Sequence, residues 1–191
     1  GSGQIPFLEL SADLEARGIG IEAGDAADHT TFSFSCTTDQ LDYAVEKANL
    51  ILTQPTFPEA EFKKLQAESI HSLRQGLIAP PTVAGRELIQ ALYPRMPQGR
   101  LSTPKTLAAV TLEDVRSWYE RIYQLGGEAF MVISGDVTPE QGQHIAARLM
   151  EGFPRRAVPP QADYSPSKLK PGRRIILVDN PQGKQATIRL G

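Results

Sequence analysis

The residues best suited to chemistry in this chain are three histidines, His29, His71 and His144, one cysteine, Cys36, and two small acidic groupings. A hydrolytic zinc ion takes three protein ligands and keeps one position open. The histidines fall on three different predicted elements, so they do not form such a set by spacing. Glu68 and His71 stand three residues apart in a predicted helix and therefore share a face. Two such residues could contribute to a metal site if further ligands came from elsewhere; without them the pair is an exposed polar face. Asp25, Asp28 and His29 gather at a predicted turn, where Asp and His side chains commonly satisfy backbone groups. Cys36 ends the alternating run Phe34-Ser35-Cys36-Thr37, which marks a buried structural thiol. A lone thiol can form neither an internal disulfide nor a thiolate metal site.

Other catalytic signatures are missing from the sequence. No glycine-rich loop leads into Lys-Ser/Thr, and no G-x-G-x-x-G follows a strand. Ser134-Gly135 lacks the first glycine of a nucleophile elbow. With 40% hydrophobic and 22% charged residues, the 191-residue chain has an ordinary globular balance and enough apolar surface for a core. A net charge of -2 provides no basic field, so nucleic acid is a poor partner. The basic residues Arg155-Arg156, Lys168, Lys170 and Arg173-Arg174 sit among prolines and read as a solvated linker. No apolar run reaches the length of a membrane span.

The elements that must position these residues are legible from periodicity and punctuation. Phe7–Arg17 predicts a helix closed by Gly18, followed by strands over Ile19–Ala23 and Thr30–Cys36 with the turn at Gly24–Asp28. Thr37 and Gln40 have capping-box spacing ahead of a helix whose stripe is Leu41, Ala44, Val45, Ala48, Ile51 and Leu52, and which Pro55 stops. Pro58 opens a helix to about Gln75 with a charged side at Glu59, Glu61, Lys63 and Lys64. Pro80-Pro81 opens another, and Met96–Ser102 reads as loop. Thr103-Pro104 starts a short turn of helix. Thr111 and Asp114 cap a helix striped by Val115, Trp118, Tyr119, Ile122 and Tyr123. Ala129–Ile133 is an apolar run between glycines and predicts a buried central strand. Thr138-Pro139-Glu140-Gln141 combines a cap, a first-position proline and a capping-box glutamine, predicting a helix to about Gly152. A linker should follow, then a hairpin of Arg174–Val178 and Ala186–Leu190 around Asn180-Pro181-Gln182-Gly183. Helices and strands mix without strict alternation, which favours an α+β fold with a mostly antiparallel sheet and helices packed on one side.

The order of these pieces resembles the first half of an insulinase/pitrilysin-type (inverted-zincin) metallopeptidase. The pieces that carry the likeness are Leu14-Glu15-Ala16-Arg17-Gly18, Asp28-His29-Thr30, Ile51-Leu52-Thr53-Gln54-Pro55 and Phe57-Pro58-Glu59-Ala60-Glu61, then Val110–Val115 with Trp118-Tyr119, and Ser134-Gly135-Asp136-Val137-Thr138-Pro139-Glu140. The resemblance implies a half-unit of the LuxS/mitochondrial-processing-peptidase-like metallohydrolase fold. In that family the active half binds zinc through H-x-x-E-H and a later glutamate. This sequence has no H-x-x-E-H, whose place would precede residue 1, and the later acidic positions, counted from Phe57-Pro58, fall at Leu65 and Ser72. Leucine has no donor atom and neutral serine replaces a carboxylate poorly.

The resemblance therefore implies a non-catalytic, zinc-free half or subunit that helps form a chamber around unfolded peptide. Zinc would be held only by an active, H-x-x-E-H-bearing partner. The strand at Glu22, Ala23 and Gly24 would correspond to the sheet edge that pairs with peptide in active halves. The domain plan implied is a half-domain over 1–154, a linker over 155–172 and the start of a second half over 173–191. Bacterial relatives place such pairs in the periplasm; a cysteine count without disulfides fits the cytoplasm equally. Two other readings stay open. One is an active zinc peptidase whose catalytic helix lies outside this sequence, with Glu68 and His71 in unusual roles. The other is a purely structural assembly module.

Overall fold

In the computed structural model, which describes residues 1–26, 29–94, 96–123, 129–155, 172–179 and 185–191, the first helix, α1 (Phe7–Ala16), ends as its sequence requires. Gly18 adopts a φ of 67°, a left-handed conformation that a Cβ would disfavour. The Gly18 N–H donates to Glu15 O at 3.0 Å and the Ile19 N–H to Leu14 O at 2.9 Å, the paired bonds of a Schellman terminus. Its apolar contact is also present, because Leu14 and Ile19 are buried in one cluster. This turn aims the chain into β1 (Gly20–Asp25), which pairs antiparallel with β2 (Thr30–Ser35). The predicted turn at Gly24–Asp28 is shorter than expected: Gly24 and Asp25 lie in the ladder opposite Thr31 and Thr30. Asp28 falls outside the described residues.

One face of this hairpin is apolar and the other polar. Ile21, Phe32, Phe34 and Cys36 pack against buried residues, whereas Glu22, Thr31, Ser33 and Ser35 face out. The helices cover the apolar face. Thr38–Gln40 forms a single turn of tight helix before α2 (Leu41–Thr53). The expected Thr37–Gln40 capping box does not form. The Gln40 amide donates to Asp39 at 2.9 Å, and its carbonyl accepts from the Arg17 guanidinium at 3.3 Å, so both ends of the side chain are engaged elsewhere.

The apolar stripe of α2 is as predicted, and it serves two clusters. Ala44 packs with Leu10, Leu14 and Ile19. Val45, Ala48 and Leu52 pack with Ile145 and Leu149 of α7 (Pro139–Leu149), and Phe34 touches both groups. The α7 start carries the capping box its sequence predicts: Thr138 N–H donates to Gln141 Oε1 at 2.7 Å, and Gln141 N–H donates to Thr138 Oγ1 at 3.3 Å. Its far end is closed from α2, because Asn49 Nδ2 donates to the carbonyls of Arg148 (3.3 Å), Leu149 (2.9 Å) and Glu151 (2.8 Å). Arg148 also pairs with Asp42, but Asp42 is almost wholly exposed, and such surface pairs contribute little.

By its contacts the chain divides into two compact units, Gly1–Pro58 with Glu113–Pro160, and Glu59–Leu112 with Gln161–Gly191. The second unit contains α3 (Glu59–Gly76), α4 (Pro80–Leu92) and α5 (Pro104–Ala109). Pro58 precedes the first helical residue of α3 instead of occupying it, and Phe57 before it has a φ of 44°. Gln66 ties α3 to the end of α5 by donating to Leu107 O and Val110 O, both at 2.9 Å. Thr103 and Thr106 make a capping box at the α5 start. The segment predicted as loop after α4 contains a tight turn of helix, Pro97–Gly99, in which a Cβ on Gly99 would lie 1.8 Å from Tyr93 O. Helix α6 (Leu112–Ile122) follows, with the aromatic stripe the sequence predicts.

Three predicted strands are not formed. Residues 129–134 form no strand with any other described residues, and Phe130 and Val132 are 89% and 80% exposed. Met131 and Ile133 are partly covered, and Ile133 Cδ1 lies 3.8 Å from where a Cβ on Gly142 would sit. An apolar run becomes a central strand only when ladders flank it, and the described residues supply none here. The same holds for 174–178 and 186–190, where Ile175, Leu177, Ile188 and Leu190 are exposed. The turn expected between them and nearly all of the linker lie outside the described residues. The described sheet is thus the antiparallel β1–β2 pair alone, in an α+β fold.

Two substitutions test this packing. Ala48 has no exposed surface between α2 and α7, so Ala48→Leu overpacks the cluster. It should cost about 1–3 kcal/mol, read as a lowered urea midpoint at unchanged slope. Asn49→Asp puts a carboxylate against three carbonyl oxygens at the negative end of α7. A loss of about 1–3 kcal/mol should follow, larger than for Asp42→Asn at the exposed ion pair.

Candidate functional site: a strand edge and a donor-poor helix

The hydrogen bond from Ala26 N–H to His29 O, at 2.8 Å, fixes the phase of the hairpin. In an antiparallel pair, opposite residues alternate between those that exchange backbone bonds and those that do not. The register continues from Ala26 opposite His29 through Gly24–Thr31, Glu22–Ser33 and Gly20–Ser35, and these are the bonded pairs. Ile21, Ala23 and Asp25 are opposite Phe34, Phe32 and Thr30 in the other set, so their N–H and C=O groups turn to the outer edge of β1. Among the described residues no other strand pairs with that edge.

Of the three residues predicted at a peptide-pairing edge, Ala23 therefore presents its backbone outward, whereas Glu22 and Gly24 direct theirs to β2. All three are exposed. Ile21 and Asp25, which the sequence reading did not single out, complete the outward set. Hairpin phase is the signal that finds them, and it depends on the pairing across the turn.

Asp25 and Thr31 make structural bonds across the hairpin. The Asp25 carboxylate accepts from Thr30 Oγ1 at 3.0 Å, across a pair that exchanges no backbone bonds. Thr31 Oγ1 donates to Gly24 O at 3.3 Å. Cys36 is half-buried beside the α1–α2 cluster, and burial first, then the Asp39 carboxylate, pushes its thiol up. A raised thiol is the reverse of an activated nucleophile.

On α3, Leu65, Glu68, His71 and Ser72 are all exposed. Among the described residues no three His, Cys, Asp or Glu side chains gather as a metal could use them. The positions where the resemblance places acidic groups hold an aliphatic side chain and a hydroxyl, a donor set that does not fit hydrolytic zinc. His29, His71 and His144 lie beside the hairpin turn, on α3 and on α7.

Two further constellations escaped the sequence reading. Tyr43 on α2 donates its hydroxyl to Asp13 on α1, and the cations of Arg17 (4.1 Å to the centroid) and Lys47 (4.8 Å) lie over its ring. The Tyr43 bond holds the Asp13 carboxyl below the ordinary range, and Asp13 in turn raises the Tyr43 phenol. The α6 aromatics form a ladder: Trp118 meets Tyr123 edge-on at 5.6 Å, Tyr123 stacks on Tyr119 at 5.2 Å, and Tyr119 meets Phe57 edge-on at 5.3 Å. Tyr119 donates its hydroxyl to Leu52 O at the end of α2. Both constellations join helices.

Residues 109–191 match the family model of the peptidase M16 inactive domain. The matched stretch begins at the end of α5 and takes in α6, the apolar run 129–134 and α7. The fold extends beyond it. A solved peptidase M16 inactive domain from Pseudomonas fluorescens superposes with a TM-score of 0.78 at 19% identity, covering 84% of this chain and 40% of that one. A protease from Helicobacter pylori superposes with a TM-score of 0.67 at 16% identity, covering 87% of this chain and 40% of that one. At these identities the likeness is one of fold, and the chain spans about two fifths of either neighbour's length. No curated protein matches the sequence. No described helix is long and apolar enough to cross a membrane.

The raised thiol gives a direct check. Cys36 in the folded protein should react with iodoacetamide several-fold more slowly at pH 8 than an unstructured cysteine peptide. Urea denaturation should restore the peptide's rate, and equal rates before unfolding would show that the thiol is neither covered nor raised.

Proposed function

We propose that this chain is a non-catalytic, zinc-free subunit or domain of an insulinase/pitrilysin-type zinc peptidase, one that lines a chamber for peptide substrates cut by an active partner. The observation that carries the proposal is the match to an inactive domain. The donor-poor positions Leu65 and Ser72 support it from within the chain. The partner would bear H-x-x-E-H and hold the zinc, with a glutamate activating water there. This chain's part is to bind and orient.

Its means of binding would be the outer edge of β1. An extended peptide can add to a sheet edge through main-chain hydrogen bonds, which carry affinity with little demand on sequence. Ile21, Ala23 and Asp25 offer the outward donors and acceptors, and Glu22 and Gly24 hold the strand to β2. Unfolded peptides of varied sequence are the substrate class that such an edge suits. The periplasm is the compartment proposed, with the two proteins working as a heterodimer; the cytoplasm is the alternative.

A second reading has one observation in its favour, the likeness to a protein described as a protease. In it, this sequence is part of an active enzyme whose catalytic helix lies elsewhere in the protein.

Two experiments separate and test these readings. The purified chain should contain no stoichiometric zinc and cleave no peptide alone, and should raise cleavage when mixed with an H-x-x-E-H-bearing partner. Stoichiometric zinc in this chain alone would overturn the proposal and return attention to Glu68 and His71. For the edge, an unfolded peptide should shift the amide signals of Ile21, Ala23 and Asp25. Ala23→Pro removes an outward N–H without removing a β1–β2 bond. It should weaken peptide binding about tenfold, the equivalent of about 1.4 kcal/mol, with the thermal midpoint nearly unchanged. Unaltered affinity in that variant would remove the edge from the proposal.

A further inference from the structure

We draw no further inference here: the strongest candidate, the bare apolar side of the run 129–134 with Phe130 and Val132 exposed, carries nothing because nothing in the structure shows what covers it.

Discussion

Two alanines on α2 set the terms on which the first unit is built. Ala44 and Ala48 have no exposed surface, and they face different neighbours: Ala44 the α1 terminus, Ala48 the α7 helix. A side chain of one carbon lets a helix approach its neighbours closely on two sides. The larger residues between and beyond them, Val45 and Leu52, fill what remains. Protein interiors have crystal-like packing density, so small residues at the contact lines govern how near helices come. The hairpin is positioned by the same arrangement, since Phe34 inserts where the two clusters meet.

The polar bonds reinforce that geometry from the rim. Asn49 reaches the end of α7, Tyr119 reaches the end of α2, and Tyr43 crosses to α1. Each satisfies or engages a group that would otherwise compete for water, and each joins residues well apart in sequence. The Arg17 guanidinium and the Lys47 ammonium lie over the Tyr43 ring, so their charge meets the electron-rich face of the aromatic. Nothing in this set positions a nucleophile, an acid–base pair or a metal. That is consistent with a chain whose proposed work is done by backbone at a strand edge.

Local signals in the sequence proved dependable where one residue type decides the outcome. Gly18 was readable because a left-handed terminus favours a residue without Cβ, and Thr138 with Gln141 because two short side chains satisfy each other's backbone. The α2 stripe was readable from its spacing. The capping box at Thr37 was not, because Gln40 had a competing guanidinium twenty-three residues earlier, on Arg17. Strands at 129–133, 174–178 and 186–190 were inferred from apolar content, yet apolar content reports a preference for cover and not the presence of a partner ladder. Of the candidate edge, the strand was legible and the outward residues were not, since Ile21, Ala23 and Asp25 differ from Glu22 and Gly24 only in hairpin phase. The likeness to the inverted-zincin family was legible in motif order; the match over residues 109–191 and the fold neighbours agree with it.

The bond between Ala26 and His29 has a consequence for how this hairpin can change over evolutionary time. Side chains and backbone bonds both alternate with a period of two along a strand. If β2 keeps Phe32 and Phe34 in the core, a slip of the pairing by one residue would shift β1 by one place. Ile21 would then leave the apolar face and Glu22 would enter it, while the outward backbone set would pass to the neighbouring residues. A slip of one residue is therefore opposed by burial, whereas a slip of two returns every side chain to its own face. The pairing of β1 with β2 is thus constrained in the parity of its register.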